Sequence, residues 1–375
     1  MEISYYLLIF ILLYSSYTIH YSSEKCKSGP EPSNIETLLL VHVLFRHGDR
    51  TPTYKPIYST DPYKNYSYEP YGSGELTNKG KLRQYEIGLN LRKRYNEFLG
   101  EKFDPQSFEG ISTRMHRTQT SLQCLLAGLF PPKDKLIWKK DLLWQPLGYH
   151  SENSVLMSAH VCPDFKDLIN KYKNTSYYKD ILVQHSDTIE YVNKNAGSEI
   201  TDAYGAYKLY CILKQQSDLG LELPKWTKSI FPEKLASLAV ENYFQYCGTT
   251  EAKRIVTGYL LRKILLDSKR KICGKLNPPS RKLFLYSGHQ LNVACFLETL
   301  GLFKKHLPYY GSFIIVELHN VNQTYGFKVY YKRKLEEKLE LLNIPTCGEF
   351  CPFSDFINIY SDMIPTQEYC NLPKY

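Results

Sequence analysis

The sequence predicts an α/β fold, a three-layer sandwich around a mostly parallel central sheet. Residues 37–45 form an apolar run that is typical of a strand buried on both faces. A second apolar run, residues 282–287, leads into Gly288-His289. Helical periodicity fills much of the sequence between these two runs, and such an arrangement favours a sheet covered by helices.

The first strand leads into the most informative residues of the chain, Arg46-His47-Gly48-Asp49-Arg50-Thr51-Pro52. Ligands bind at the carboxyl ends of strands in open α/β sheets. Guanidinium groups match phosphate oxygens with paired hydrogen bonds, and imidazole is a nucleophile at mildly acidic pH. Gly48 permits a backbone turn that a Cβ would obstruct. The motif therefore predicts attack on a phosphate ester, in preference to a structural His between two surface arginines.

A loop and a helix are predicted next. Residues 54–74 are rich in Tyr and Pro, and we expect them to form a loop over the site. Residues 76–99 are predicted to form a helix that has Thr77 as its N-cap. Most of its apolar stripe would come from Leu82, Tyr85, Ile87, Leu89 and Tyr95.

The rest of the chain alternates between strand and helix patterns. A short strand at 108–112 precedes a helix at 118–129, which Pro131-Pro132 ends. One side of that helix carries Leu122, Leu125, Leu126 and Leu129. From about 148 to 243 the pattern is helical, without a convincing strand. After the strand at 282–287 we expect a helix at 291–300 capped by Gly301, and strands at 313–318 and 326–331.

Several motifs together resemble the histidine acid phosphatases, a branch of the histidine phosphatase superfamily. The sequence is similar to those of insect secreted or venom acid phosphatases. The resemblance extends from about Leu38 to the C-terminal cysteines. Besides the motif at 46–52 it rests on Gly74–Gly80, Ser112–Thr118, Leu126–Pro132, Trp144–Pro146 and Tyr286–His289.

The resemblance implies a role for each residue of the site. His47 would be the nucleophile that carries the phosphoryl group, and its cationic neighbours would keep it neutral below pH 6.5. Arg46, Arg50 and Arg117 would hold the phosphate oxygens, and His289 would be a second histidine in contact with phosphate. No metal or cofactor is expected, because the arginines would neutralise the charge.

The sequence departs from the family pattern after the second histidine. Family members have an Asp or Glu there, which protonates the leaving oxygen, whereas this chain has Gln290. An amide has no proton to give, and general acid catalysis is typically worth about 10²–10⁴-fold. Arg114 and His116 also replace residues that are usually acidic, which makes the rim of the pocket more cationic. His116 or Asp49 could supply the missing proton, but no spacing selects either one.

Composition and cysteine content predict export. Residues 1–23 are predicted to be a signal peptide cleaved between 16 and 23, and no later stretch suggests a membrane anchor. The net charge of +9 is spread along the chain without a nucleic-acid motif, and would attract small phosphomonoesters. Ten cysteines fit an oxidising compartment. Predicted N-glycosylation sites are Asn65, Asn174 and Asn322.

The resemblance also implies two disulfides, Cys347–Cys351 and Cys162–Cys370, while Cys124 and Cys295 lie in apolar helical patterns that suit buried thiols. By the same resemblance, the phosphatase domain spans 35–375. Its α/β core would cover about 35–145 and 245–345, with a helical insertion domain at about 145–245. A homodimer is common in such relatives, although no residue here specifies it.

The expected protein is a secreted acid phosphatase, with Gln290 as a feature that would weaken its activity. The alternatives are a secreted binding protein for phosphate esters, and a phosphatase of phytase-like or lysophosphatidate-type specificity.

Overall fold

A computed structural model describes residues 37–53, 58–152, 154–366 and 370. The predicted signal peptide, residues 1–23, lies outside the described residues. The eight strands of this part are β1 Leu38–Arg46, β2 Phe108–Thr113, β3 His150–Glu152, β4 Leu283–Gly288, β5 Phe313–Val321, β6 Thr324–Lys332, β7 Glu340–Leu342 and β8 Cys351–Pro352. Among the described helices, the first seven are α1 Asn78–Arg94, α2 Asn96–Leu99, α3 His116–Leu129, α4 Phe165–Lys173, α5 Ser176–Gln184, α6 Ser186–Ala196 and α7 Ala203–Asp218. The others are α8 Glu233–Ala239, α9 Phe244–Cys247, α10 Thr250–Val256, α11 Gly258–Ile272, α12 Gln290–Thr299 and α13 Phe353–Tyr360.

The strands form one sheet in the order β3-β2-β4-β1-β5-β6-β7, and β8 pairs with β6. Strands β3, β2, β4 and β1 are parallel, whereas β5, β6, β7 and β8 are joined by antiparallel pairings. The α/β class is confirmed, and the sheet is more mixed than predicted. The reason is local: β5 and β6 are connected by a two-residue turn, which can only join antiparallel strands.

Both faces of β1 are buried, as the apolar run predicts. Val41, Val43 and Phe45 face a core formed with α1 and α3. Leu40 and Leu44 face a second core, which contains side chains of α11, α12 and α13. Helices therefore cover the sheet on both sides, and this gives the three layers.

The first helix packs differently from the prediction. It ends at Arg94, and α2 forms a separate turn, while Thr77 caps it as expected by accepting a hydrogen bond from the Gly80 amide. Leu82, Tyr85 and Leu89 of the predicted stripe are exposed. The helix instead approaches α3 through glycines, since a Cβ at Gly88 would lie 2.1 Å from the Leu125 carbonyl oxygen. Hydrophobic periodicity misses such a contact because glycine has no side chain to count. The leucine face predicted for α3 is buried.

Residues 165–247 are helical, in line with the sequence pattern, but the expectation of no strand after 148 is wrong. The short strand β3 pairs with β2, with His150 opposite Ile111. Its three residues, His-Ser-Glu, are polar and exposed or half-exposed, so they lack the apolar signal of a strand. In the loop expected over the site, Tyr58 packs into the core of the helical region. The amides of Ser59 and Thr60 donate hydrogen bonds to backbone carbonyls at the end of α6.

Disulfide bonds join Cys162 to Cys370 and Cys347 to Cys351, the two pairs that the family resemblance implies. A third bond joins Cys247 to Cys295, so the expectation of a buried thiol at Cys295 is wrong. The apolar pattern of α12 buries this residue, but it does so against α9, where Cys247 lies. Cys124 is a free thiol, as is Cys211. In the described part of the chain, no helix is both long and apolar enough to cross a membrane.

Candidate active site

Two histidines meet at the carboxyl edge of the parallel strands. Strands β1 and β4 are neighbours, and Arg46 lies opposite Gly288 in their register. The residues that follow them are therefore close: the His47 amide donates a 3.1 Å hydrogen bond to the Gly288 carbonyl. The rings of His47 and His289 lie 5.6 Å apart, edge to face. The fold thus brings together two predicted site residues that are 242 positions apart in the sequence.

The His47 ring has a defined proton position. Its Nδ1 lies 2.9 Å from the Gly48 carbonyl oxygen, and because a carbonyl can only accept, Nδ1 carries the proton. The lone pair is then on Nε2. The side chain is 3% exposed. Burial, followed by the charges of Arg117, Arg46 and the groups beside them, lowers the pKa of His47 well below its usual value. The ring is therefore neutral at mildly acidic as well as neutral pH, with a lone pair on Nε2.

Gly48 is required by close backbone contact. A Cβ at this position would lie 2.3 Å from the carbonyl oxygen of Gly80, at the start of α1. The Gly48 amide donates to the Ser121 hydroxyl at 3.1 Å, and Ser121 donates in turn to the Arg117 carbonyl. These bonds connect the histidine loop to the first turn of α3.

Three arginines surround His47 with their charges unpaired. Arg46 donates from Nη1 to the Pro308 carbonyl at 2.6 Å and lies 3.8 Å over the Tyr310 ring, and Arg50 donates to the Thr51 carbonyl. The Nε–H groups of Arg46, Arg50 and Arg117 are buried without a hydrogen-bond partner in the described part of the chain. Within that part, none of the three lies in an ion pair with a carboxylate. Unpaired buried charge is costly, so this arrangement is suited to an anion.

Burial and neighbouring charge lower the pKa of Arg117 and of His289. Desolvation, with the charge of Arg50 next, lowers the pKa of Arg117 to about 10. His289 lies at the end of β4, where its Nε2 is 3.0 Å from the Thr113 hydroxyl and its amide donates to the Asn292 side chain. Burial and the three arginines lower the pKa of His289 to about 3. His289 is therefore neutral at mildly acidic pH.

Gln290 is the first residue of α12 and is buried. Its Oε1 accepts a 3.1 Å hydrogen bond from the Tyr207 hydroxyl. Burial raises the pKa of Tyr207 well above its ordinary value. Neither Tyr207 nor Tyr310 is marked by a sequence motif, and both contact the site only because the helical region and residues 302–312 fold against the sheet.

Two cavities lie beside the site, and His289 lines the larger of them. The smaller, of about 40 Å³, lies at Gln290 and Arg46. Its other lining residues are Tyr210, Cys211, Lys214, Leu307, Pro308, Tyr309 and Tyr310. The larger, of about 340 Å³, lies at Arg117, His289 and Arg114. It is also lined by Thr113, Met115, Met157, Ser158, Ala159, His160, Val256, Leu291 and Asn292. None of these described lining residues is an Asp or a Glu.

The two residues considered as substitute acids lie elsewhere. His116 has a side chain that is 79% exposed, and it contacts Glu75 at 3.2 Å without lining either cavity. Asp49 is buried against Arg83, with 2.6 Å between its Oδ2 and the arginine Nε. Arg83 contacts both carboxylate oxygens, and Asp49 lines neither cavity. Arg114, by contrast, belongs to the wall of the larger cavity.

The remaining predicted sites are on the surface. Asn65, Asn174 and Asn322 are all exposed, and Asn322 lies in the turn between β5 and β6. No group of three or more His, Cys, Asp or Glu side chains in the described ranges could hold a metal ion.

Comparison with known proteins shows which family the chain is similar to. The sequence profile of the histidine phosphatase superfamily (branch 2) matches residues 37–332. The chain is 34% identical to the venom acid phosphatase of the honeybee Apis mellifera over 344 residues, covering 88% of this chain and 86% of the relative. It is 32% identical to human prostatic acid phosphatase, with the same two coverages. Among solved structures, the apo form of Hafnia alvei phytase superposes with a TM-score of 0.66 at 18% identity, covering 92% of this chain and all of the phytase.

Proposed function

The chain belongs to the acid phosphatases of the histidine phosphatase superfamily, branch 2, and from this premise we propose that it hydrolyses phosphate monoesters through a phosphohistidine on His47. The observation that carries the proposal is the neutral ring of His47, whose Nε2 lone pair is free among three arginines without counter-charges. Each of these features suits one part of a phosphoryl transfer.

In the first step, Nε2 of His47 attacks phosphorus while the bond to the leaving oxygen breaks. Arg46, Arg50 and Arg117 donate to the nonbridging oxygens, where negative charge develops. In the second step, water attacks the phosphohistidine, the electron pair of the P–N bond returns to Nε2, and phosphate departs. Throughout both steps Nδ1 keeps its proton and donates a hydrogen bond to the Gly48 carbonyl oxygen, so the ring holds one orientation.

Gln290 would make the enzyme weak on esters with poor leaving groups. It occupies the position of the family's proton donor, and its carbonyl oxygen is already engaged by Tyr207. Its amide group can donate a hydrogen bond to a leaving oxygen but cannot transfer a proton. Alkyl phosphates would lose the typical contribution of a general acid, about 10²–10⁴-fold, whereas aryl phosphates would lose much less.

A protein that binds phosphate esters without cleaving them is the alternative. It is favoured by the lack of a carboxyl group among the described residues that line the two cavities. It is opposed by the orientation of His47, because binding alone needs no free lone pair on Nε2.

We also propose that the protein is secreted, with an α/β core at about 35–145 and 245–345 and a helical insertion at about 145–245. The disulfides Cys162–Cys370, Cys247–Cys295 and Cys347–Cys351 support passage through the secretory pathway. A glycosylated venom component is one form this could take, since a honeybee relative is named as a venom enzyme.

The experiment is the rate of p-nitrophenyl phosphate hydrolysis from about pH 4 to pH 8 by the wild type, His47→Ala and His116→Ala. We expect the wild type to remain active at about pH 5, because the pKa of His47 is lowered and its ring stays neutral there. His47→Ala should lose at least about 10⁴-fold in kcat. His116→Ala is the matched control, since that histidine is exposed, and its rate should be that of the wild type. Phosphate binding without turnover by the wild type would decide for the binding protein.

A further inference from the structure

The two cavities at the site differ in size, but cationic side chains line both of them. Arg46 and Lys214 lie in the smaller, and Arg114 and Arg117 in the larger. Lys214 pairs with Asp218, which lies outside the lining, whereas Arg114 has no carboxylate within ion-pair distance in the described part of the chain. Among the described residues, the linings of both cavities therefore present positive charge and no carboxyl group.

The protic groups that border the site are poor proton donors. Burial raises the pKa of Tyr207, of Tyr310 and of the Cys211 thiol, so that they hold their protons. His289 is at the other extreme, since its pKa of about 3 leaves it without a transferable proton at mildly acidic pH. Gln290 has none at all. His160, which also lines the larger cavity, packs its ring edge to face against Phe165 and Tyr246. Among the described groups that contact the two histidines and Gln290, none offers a readily transferable proton, and a leaving oxygen then departs as an anion.

Departure as an anion divides phosphoryl donors into two groups. An alkoxide is a very unstable leaving group, so alkyl phosphates depend on a general acid. A phosphate is a stable leaving group, because its second pKa is about 6 and it needs no proton to depart. Its charge would also be attracted by the arginines, whereas a carboxylate at position 290 would repel it.

Resting on the phosphatase activity proposed above, we infer that the preferred substrate is a phosphoanhydride, such as inorganic pyrophosphate or the diphosphate of an organic alcohol. His47 Nε2 attacks the terminal phosphorus, the bond from that phosphorus to the bridging oxygen breaks, and its electron pair leaves on the second phosphate. Water then cleaves the P–N bond, and one proton is released to solvent. The anhydride supplies the leaving group, so no acid, oxidant or further reactant is required.

The larger cavity is the place for the second phosphate. Its volume of about 340 Å³ exceeds what the terminal phosphate needs, whereas the 40 Å³ cavity beside Gln290 has room for little more than bound water. Arg114 on the wall of the larger cavity is exposed and can reach an incoming anion without losing an ion pair. Arg114 is thus the specificity residue of this inference.

The test compares kcat/KM for pyrophosphate, glycerol phosphate and p-nitrophenyl phosphate in buffer containing a metal chelator. For the wild type we expect pyrophosphate to exceed glycerol phosphate by about 100-fold or more, the lower end of what a general acid supplies. Gln290→Asp should raise the rate on glycerol phosphate by a similar factor and leave pyrophosphate unchanged or slower. Gln290→Glu serves as a second carboxylate variant if the aspartate variant does not fold.

Arg114→Gln should lower kcat/KM for pyrophosphate about 10-fold and lower that for p-nitrophenyl phosphate less, because it removes one charge-assisted hydrogen bond to the second phosphate. Lys139→Gln, an exposed position that lines neither cavity, is the charge-matched control and should change neither. Wild-type rates on glycerol phosphate that equal those on pyrophosphate would overturn the inference while leaving the phosphatase intact. Loss of all turnover, p-nitrophenyl phosphate included, would instead contradict the proposed function.

Discussion

A cluster of charged side chains lies beside each end of strand β1, and the two clusters differ in how charge is balanced. Beside the start of the strand, Arg94 pairs with the buried Glu317 at 2.8 Å. Tyr95 donates to the same carboxylate at 2.6 Å, and His319 lies 2.9 Å from its other oxygen. At the far end, the Nε–H groups of Arg46, Arg50 and Arg117 are buried without partners in the described residues.

The comparison shows how a structural charge differs from a functional one. Burial alone would raise the pKa of Glu317, but the hydrogen bond from His319 and the charge of Arg94 outweigh it and lower the value to about 2. That cluster satisfies itself and needs no ligand. At the other end, backbone carbonyls and an aromatic ring contact Arg46 and Arg50, and no carboxylate of the described residues pairs with them, so this end is suited to a counter-ion from solution.

The largest effect on stability is expected from Glu317→Gln at the balanced end. Arg94 is partly exposed, but the change also removes the charge that strengthens the hydrogen bonds to the buried Glu317, which should cost about 2 kcal/mol of unfolding free energy. Because the pKa of Glu317 is depressed in the folded state, its contribution is present above the unfolded value of about 4.3. It is lost as the pH falls toward the folded value of about 2.

Urea denaturation with the disulfides intact, at about pH 7 and pH 3, measures this effect. The gap between wild type and Glu317→Gln should be widest at pH 7 and narrow at pH 3. Glu340→Gln, whose carboxylate is mostly exposed, is the control and should stay within about 0.5 kcal/mol of the wild type. An equal gap at both pH values would mean that the carboxylate is not what stabilises this end.

The opposite pattern, a loss of activity without a loss of stability, is expected from Arg117→Gln at the unbalanced end. The loss of one donor to the developing charge should lower kcat/KM about 10²–10³-fold. The unfolding free energy should stay the same or rise, because a buried charge without a partner is removed. Arg270→Gln, on an exposed arginine of α11, is the control for activity. If Arg117→Gln lost as much unfolding free energy as Glu317→Gln, the two ends of the strand would not differ in charge balance.

Only the histidine end of this comparison could be predicted from the sequence. The apolar run predicts that strand β1 is buried on both faces, and His47 and His289 each follow a strand whose end could be located. The expectation that His289 contacts phosphate together with His47 depends on the resemblance to the histidine acid phosphatases.

Other features depend on contacts that no local pattern encodes. The packing of α1 rests on Gly88, which carries no hydrophobic signal, and the polar strand β3 exists only because β2 offers it an edge. Tyr207 donates a hydrogen bond to Gln290, which lies 83 positions later in the sequence, and Cys295 forms a disulfide with Cys247 of a different helix. The sequence also could not show that Asp49 pairs with Arg83 and lines neither cavity at the site.

The most direct test of the account is to trap the enzyme during turnover and locate the phosphoryl group. Radiolabelled p-nitrophenyl phosphate would be mixed with the protein at about pH 5, the reaction quenched in alkali to preserve a phosphohistidine, and the digest analysed by mass spectrometry and ³¹P NMR. Because Nδ1 of His47 is bonded to the Gly48 carbonyl, the account predicts phosphate on Nε2 of His47. Turnover with phosphate on Nδ1, on His289 or on no residue at all would contradict it.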